Sequence, residues 1–316
     1  MPALNRCLRN RGSALISALF IMTLVAIAAT AMSTRLQLDI YRTRLTISSD
    51  KLFLASQAVT FWAMHTLSNE SLQVRLNDKE GKLLVFPKQL QHLYPDVTIT
   101  GALYDLQGRF NLNNLQDKRF LPIFVRLLEK TLTNMDNKQI RALIESIQYW
   151  ISPYQPDRGH DEYLTYYQRQ SPPYSPAYQL FQSISELRLI RGMNNNAFDT
   201  LSSYITALPE ITAINLNTAS RLVLQTLGNG LTESQVDELL NERGKKGITN
   251  LQDISELLQK INVPNNQITI ESEYYLCTTI VTFEDLSYTF YRIIKRHRDQ
   301  KKHLSVGIIS ESINTM

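Results

Sequence analysis

The chain has 316 residues, 43% hydrophobic and 20% charged, which is enough to bury cores in about two domains and too apolar for a disordered or collagen-like chain. Two cysteines exclude a disulfide-stapled scaffold and a four-thiolate zinc site. The net charge of +4 sits at the ends, in Arg6, Arg9 and Arg11 and in the run from Arg292 to Lys302, so the body between them is mildly acidic and gives no reason to expect nucleic acid.

From Ser13 to Thr34 no residue is charged, and about 20 apolar residues suffice to cross a bilayer as a helix. Arg35, Arg42 and Arg44 follow the span, so charge on its two flanks is nearly balanced and orients it weakly. A cleaved secretory signal, with small-residue sites at Ala26, Ala28, Ala29 or Ala31, would have a shorter apolar run. Between Arg35 and Leu67 there is neither proline nor glycine, and Leu36, Ile40, Ile47, Leu54, Ala58 and Phe61 recur as one apolar stripe. The spacing predicts a single helix over 13–67, about 80 Å long at 1.5 Å per residue. The stripe is a candidate surface for partner helices, by helix-in-groove recognition. The competing reading is that its upper part, Leu54 to Phe61, packs under the chain's own sheet.

A short basic leader ending in glycine, ahead of such a helix, resembles the start of type IV pilins and pseudopilins. The resemblance implies cleavage by a prepilin peptidase after Gly12, leaving Ser13 as the amino terminus. Most members carry a glutamate at the fifth mature position, where this chain has Ser17. A serine supplies no charge to pair with a neighbour's amino terminus, so the subunit would cap an assembly rather than continue it. In that departure the chain is similar to the K-type minor pseudopilin family of type II secretion systems, general secretion pathway protein K.

After a polar stretch to Pro95, Val97 to Tyr104 alternates as a strand, and Gly108 predicts a turn into a second strand at Phe110. Asp105, Gly108, Arg109, Phe110, Asn111, Leu112 and Asn113 resemble the family's D-x-x-G-R-F-N-L-N word. Two helical patterns fill Phe120 to Trp150, and a proline-rich loop leads to a short helix capped by Ser185 and ended by Gly192. Trp150, Gly159, Asp161, Glu162, Tyr163, Pro172, Pro173, Tyr174, Ser183, Ser185, Glu186, Leu187 and Arg188 resemble the family's next words in order, so the resemblance spans nearly the whole chain.

For the loop the resemblance implies a structural calcium ion, with Asp157, Asp161 and Glu162 as candidate ligands. Tyr149 and Ser152 stand where relatives commonly place aspartates, which leaves the oxygen set short of the six to eight that calcium takes. The bland reading makes Asp161 and Glu162 solvated acids or a helix amino-terminal pair. His160 beside them suggests no enzyme, because no nucleophile, base and orienting partner converge with it, and no catalytic residue is expected.

The stretch Ile211 to Asn262 resembles helix-hairpin-helix modules, with Asn217 as the cap of a helix starting near Thr218 and Gly228 and Gly230 forming the hairpin. Its basic residues, Arg221, Arg243, Lys245, Lys246 and Lys260, are outnumbered by acids, and Asn229 replaces the usual apolar hairpin residue. A packing unit is therefore expected there, and DNA contacts are not. From Ile268 to Arg296 two strands with a turn near Glu284 and Asp285 are predicted, pairing with those near Val97 and Phe110. Without the leader only Cys277 remains, so no intrachain disulfide is expected.

The expected fold class is α+β: a pseudopilin fold with a long N-terminal transmembrane and amphipathic helix packed on an antiparallel sheet, and a large inserted all-helical domain. Its parts are a leader 1–12, a span 13–34, the remaining helix 35–67, a body 68–116 with 263–296, an insertion 117–262 and a basic, polar, solubilising tail 297–316. The resemblance implies a minor pseudopilin at the tip of the pseudopilus. It would sit in the bacterial inner membrane with a periplasmic soluble domain, start assembly with the I-type and J-type minor pseudopilins and the inner-membrane assembly platform, and help export folded proteins. The alternatives are a type IV or competence minor pilin, for adhesion or DNA uptake, and a membrane-anchored helix-hairpin-helix DNA-binding protein.

Overall fold

A computed structural model describes residues 11–69, 82–154, 161–244, 246–299 and 303–315. The chain divides into two compact units, one ending at Leu54 and the other beginning at Ala55. Helix α1 (Arg11–Leu67) is unbroken. Up to Leu54 its large apolar side chains are mostly exposed, and among the described residues it is the one helix long and apolar enough to cross a membrane by length and composition. The hydroxyls in the apolar run donate to the helix's own carbonyls: Ser17 to Ser13 (2.9 Å), Thr23 to Phe20 (2.8 Å), Thr30 to Ala26 (2.7 Å) and Thr34 to Thr30 (2.9 Å). Donors paired in this way need no water, as a hydrocarbon environment requires.

In the second unit, strands β1 (Lys82–Val85) and β2 (Thr98–Asp105) precede the insertion. The insertion holds β3 (Phe110–Asn111), α2 (Leu121–Thr131), α3 (Asn137–Ile151), α4 (Glu162–Gln168), α5 (Asn195–Ser202), β4 (Ile205–Thr206), β5 (Ile214–Asn215), α6 (Arg221–Leu224), α7 (Glu233–Arg243), α8 (Ser255–Lys260) and β6 (Ile268–Thr269). Strands β7 (Tyr274–Phe283), β8 (Leu286–Arg298) and β9 (Leu304–Ile313) complete an antiparallel sheet of order β1-β2-β7-β8-β9. Glu284 and Asp285 form the two-residue turn between β7 and β8, with Glu284 at φ 50°, as the sequence predicts.

Three expectations change. Phe110 and Asn111 do not join the sheet; they pair in parallel with Ile205 and Thr206, so the insertion occupies the whole interval between β2 and β7 rather than 117–262. That insertion is not all-helical, since β3 pairs with β4 and β5 with β6. The tail expected over 297–316 is largely strand: β8 runs to Arg298 and β9 returns along it, Leu304 opposite Arg298 and Ile313 opposite Phe290. The alternation Leu304, Ser305, Val306, Gly307, Ile308 carries that strand signal, masked by the basic residues before it.

Among the described residues, most of the insertion's buried apolar side chains form one core between Phe110 and Ile268, and Leu208 packs instead with Leu106, Tyr274 and Leu276. Helix caps define its helices: Asp136 and Gln139 form a capping box on α3, and Thr232 and Gln235 one on α7. The cap of the 184–189 turn is Ser183 rather than Ser185, and Ser220 rather than Asn217 caps α6.

An internal repeat emerges from the pairing. Phe110-Asn-Leu-Asn, Ile184-Ser-Glu-Leu and Ile205-Thr recur in the same order as Ile214-Asn-Leu-Asn, Ile254-Ser-Glu-Leu and Ile268-Thr. Their asparagines do equivalent work. Asn113 donates to the carbonyls of Phe181 (3.0 Å) and Leu208 (2.8 Å) and accepts from Phe181 N–H (2.9 Å). Asn217 donates to Ile248 (2.9 Å) and Ile270 (3.0 Å) and accepts from Ile248 N–H (2.7 Å). Each side chain pairs with backbone that lies outside the strands, so buried peptide groups stay satisfied without a full ladder.

Candidate functional site

Residues Ala55, Val59, Ala63 and Leu67 of α1, spaced by four, are buried, and Ser56 and Thr60 lie beside them. Gly101 makes room for this stripe, since a Cβ there would stand 2.5 Å from Val59 Cγ1 and 3.0 Å from the Thr278 carbonyl. Two arginines of β8 tie the helix to the sheet. The fully buried Arg292 donates through Nη2 to Ser56 Oγ (2.9 Å) and pairs with Glu311 of β9 (2.6 Å). Arg296, also buried, donates to the carbonyl of Leu67 (2.9 Å), a cation at the helix carboxy terminus where the macrodipole favours it. Sequence reading missed these residues, although inward-facing arginines alternating with Phe290 and Ile294, and a glycine inside a strand pattern, are visible signals.

The proposed partner stripe lies elsewhere on the helix. Leu36, Ile40, Ile47 and Leu54 are exposed in the first unit at 61, 59, 63 and 56%, and Phe61 is 65% exposed in the second. Phe61 stands two positions from both Val59 and Ala63, so at 100° per residue it points away from the sheet-facing side. Phe61 therefore does not pack under the chain's own sheet, while Ala58 is half-buried.

At the other end of β2, Asp105 joins the sheet to the insertion. Its carboxylate accepts from Ser272 Oγ (2.6 Å), Thr218 Oγ1 (2.6 Å), Asn215 Nδ2 (3.0 Å) and Gln107 N–H (2.8 Å). Burial pushes this carboxyl up from its ordinary range, and the donated hydrogen bonds offset only part of that rise. Gly108 is required beside it, since a Cβ there would meet the Thr218 carbonyl at 2.8 Å. The D-x-x-G-R-F-N-L-N word thus encodes a joint: an acceptor, a close approach and the stapling asparagines.

Of the candidate calcium ligands, Asp157 lies outside the described residues. Asp161 caps α4 through Oδ1, accepting from Tyr163 N–H (3.0 Å) and Leu164 N–H (3.1 Å), while Oδ2 accepts from the Tyr149 hydroxyl. Glu162 pairs with Arg191 (3.1 Å). Among the described residues no three His, Cys, Asp or Glu side chains gather as a metal would need.

The Gly228 and Gly230 hairpin does form, with both glycines at positive φ. Its carbonyls at Thr226 and Gly228 are taken by the Arg126 guanidinium of α2 (2.9 and 2.6 Å), and Arg221 is paired with Glu233 (2.6 Å) and Asp237. The hairpin packs on its own chain, which speaks for the packing reading.

Two segments, residues 108–210 and 214–271, match the family described as type II secretion system (T2SS), protein K. A type II secretion system protein K from Aeromonas hydrophila is 29% identical over 272 residues, covering 76% of this chain and 78% of its own. Another, from Pseudomonas aeruginosa, is 26% identical over 207 residues, covering 62% of this chain and 60% of its own. A chain in the crystal structure of the GspK-GspI-GspJ complex from the type 2 secretion system of enterotoxigenic Escherichia coli shares the fold. Its TM-score is 0.68 at 21% identity, with 87% of this chain and 100% of that one aligned.

Proposed function

Since this chain belongs to the type II secretion system protein K family, we propose that it is a membrane-anchored minor pseudopilin that caps the pseudopilus, starts its assembly and helps move folded proteins across the outer membrane. The observation that carries the reading is α1, an exposed apolar span continuing into a helix whose last turns are clamped on a sheet while a separate apolar stripe stays exposed. In this reading Ser13 to Thr34 lies in the inner membrane, the sheet and insertion lie in the periplasm, and Leu36, Ile40, Ile47, Leu54 and Phe61 face the helices of I-type and J-type minor pseudopilins. The matched chain from enterotoxigenic Escherichia coli comes from a complex with GspI and GspJ, which supports that choice of partners. Ser17, bonded to its own helix at Ser13, offers no charge to a subunit above, in keeping with a terminal position. The role is mechanical and assigns the chain no catalytic step. The inner-membrane assembly platform and the prepilin peptidase complete the proposed set of partners.

Two measurements test it. Mass spectrometry of the protein recovered from membranes is expected to find an amino terminus at Ser13, cut after Gly12; a start after Ala28 or Ala31 would mean a cleaved secretory signal instead. Ile40→Asp or Ile47→Asp is expected to lower co-purification of the I-type and J-type partners by roughly tenfold or more, because a charge replaces an apolar contact. The melting temperature should stay within about 1 °C, as these positions are exposed. Equal loss of recovery and of melting temperature would assign the stripe to the protein's own core.

A further inference from the structure

We infer that the end of α3 and the start of α4 are tied to each other by a phenol hydroxyl, from Tyr149 to Asp161, in the role a divalent cation would otherwise fill, so that the seating of α4 on α3 is calcium-independent. Tyr149 lies in the last turn of α3, and Asp161 is the residue that caps α4. Both Asp161 oxygens already have donors, two backbone N–H groups on Oδ1 and the Tyr149 hydroxyl on Oδ2. Oδ1 is taken by two backbone donors, and a cation at Oδ2 would have to share that oxygen with the phenol hydroxyl.

The phenol is held in place from three sides. Its ring stacks on Tyr163 of α4 with centroids 4.7 Å apart, and Tyr178 packs edge-on against it at 5.9 Å. The Tyr178 hydroxyl stands 3.2 Å from the Tyr149 hydroxyl, and Tyr154 packs against Tyr178 at 5.1 Å. One side chain thereby joins α3, α4 and the segment that follows the proline pair. Burial, then the hydrogen bonds to Asp161 and Tyr178, hold the Tyr149 hydroxyl well above its ordinary range, so it remains a donor at any physiological pH.

The neighbouring acid is answered separately. The Arg191 guanidinium pairs with Glu162 and lies 5.8 Å from the Tyr163 ring centroid and 5.3 Å from that of Tyr166. It supplies positive charge where a second ligand would be needed, and it repels a divalent ion. Both acids thus have partners built from the chain itself.

The test uses the full chain in detergent with Trp62→Phe as the common background, melted while Trp150 fluorescence is followed, because that indole packs on Tyr167 and donates to Glu186 (3.1 Å) in the same region. Melting curves in chelator and in millimolar calcium are expected to coincide within about 1 °C, and Tyr149→Phe is expected to melt about 3 °C lower in both media. Calorimetric titration of the wild-type chain is expected to show no calcium binding tighter than about 1 mM. Calcium raising the melting temperature of that background by several degrees, binding in that range, or a Tyr149→Phe variant melting with the background would each overturn the inference.

Discussion

Asn113→Ala is expected to destabilise the insertion by about 4 kcal/mol. The side chain is fully buried, and its removal leaves the Phe181 N–H, the Phe181 carbonyl and the Leu208 carbonyl without their partner. Each orphaned buried group costs roughly 1–3 kcal/mol, with incomplete additivity as water or relaxation recovers part. Asn113→Asp keeps the shape but turns a donor into a third acceptor facing two carbonyls, and should be no better tolerated. Trp150 lies in the insertion and Trp62 in α1, edge-on to Phe86 at 5.6 Å, so variants retaining one tryptophan separate the two regions in denaturant. The midpoint seen by Trp150 should fall most. A loss below about 1 kcal/mol would show that the asparagine is not the staple its geometry makes it.

Gly101→Val is expected to unseat α1 at a cost of about 3 kcal/mol, the scale of overpacking a close-packed site. The first added carbon already meets Val59 Cγ1 at 2.5 Å, and neither neighbour yields easily: Val59 is β-branched on a helix and the Thr278 carbonyl belongs to β7. The milder Gly101→Ala tests the mechanism, because Val59→Ala removes the methyl carbons in its way. The pair should show a favourable coupling of about 2 kcal/mol in a double-mutant cycle. Strict additivity would place the clash elsewhere.

How far the sequence discloses this fold depends on which atoms make the bonds. The α1 helix, the Glu284 and Asp285 turn and the helices around Ile123 and Ile144 are legible because hydrophobic period and turn chemistry are local. Phe110 misleads because Asn111 and Asn113 alternate with Phe110 and Leu112 as in a strand, while those asparagines reach backbone 68 to 99 residues away: Asn111 donates to the Glu210 carbonyl (2.7 Å) and accepts from Leu208 N–H (3.0 Å). Asn217 misleads in the same way, reading as a cap while serving as a staple. The repeat of Asn-Leu-Asn and Ile-Ser-Glu-Leu is fully present in the sequence, and aligning the chain with itself would have exposed both. For the loop acids, sequence gives their proximity but not their partners, and the partners Tyr149 and Arg191 decide the chemistry.

The bond between Asp105 and Ser272 has a further consequence in time. These residues stand 167 apart in the chain, one ending β2 and the other just preceding β7. Closing so long a separation is slow unless the intervening chain has already compacted, and the insertion has its own core with which to do so. As the protein is synthesised, the membrane helix emerges first and its seat last, because Arg292 and Arg296 belong to the final hairpin. A ribosome-bound or truncated chain therefore holds a finished anchor and a finished insertion with only β1 and β2 of the sheet between them, and docking of α1 reports that the last strands have arrived.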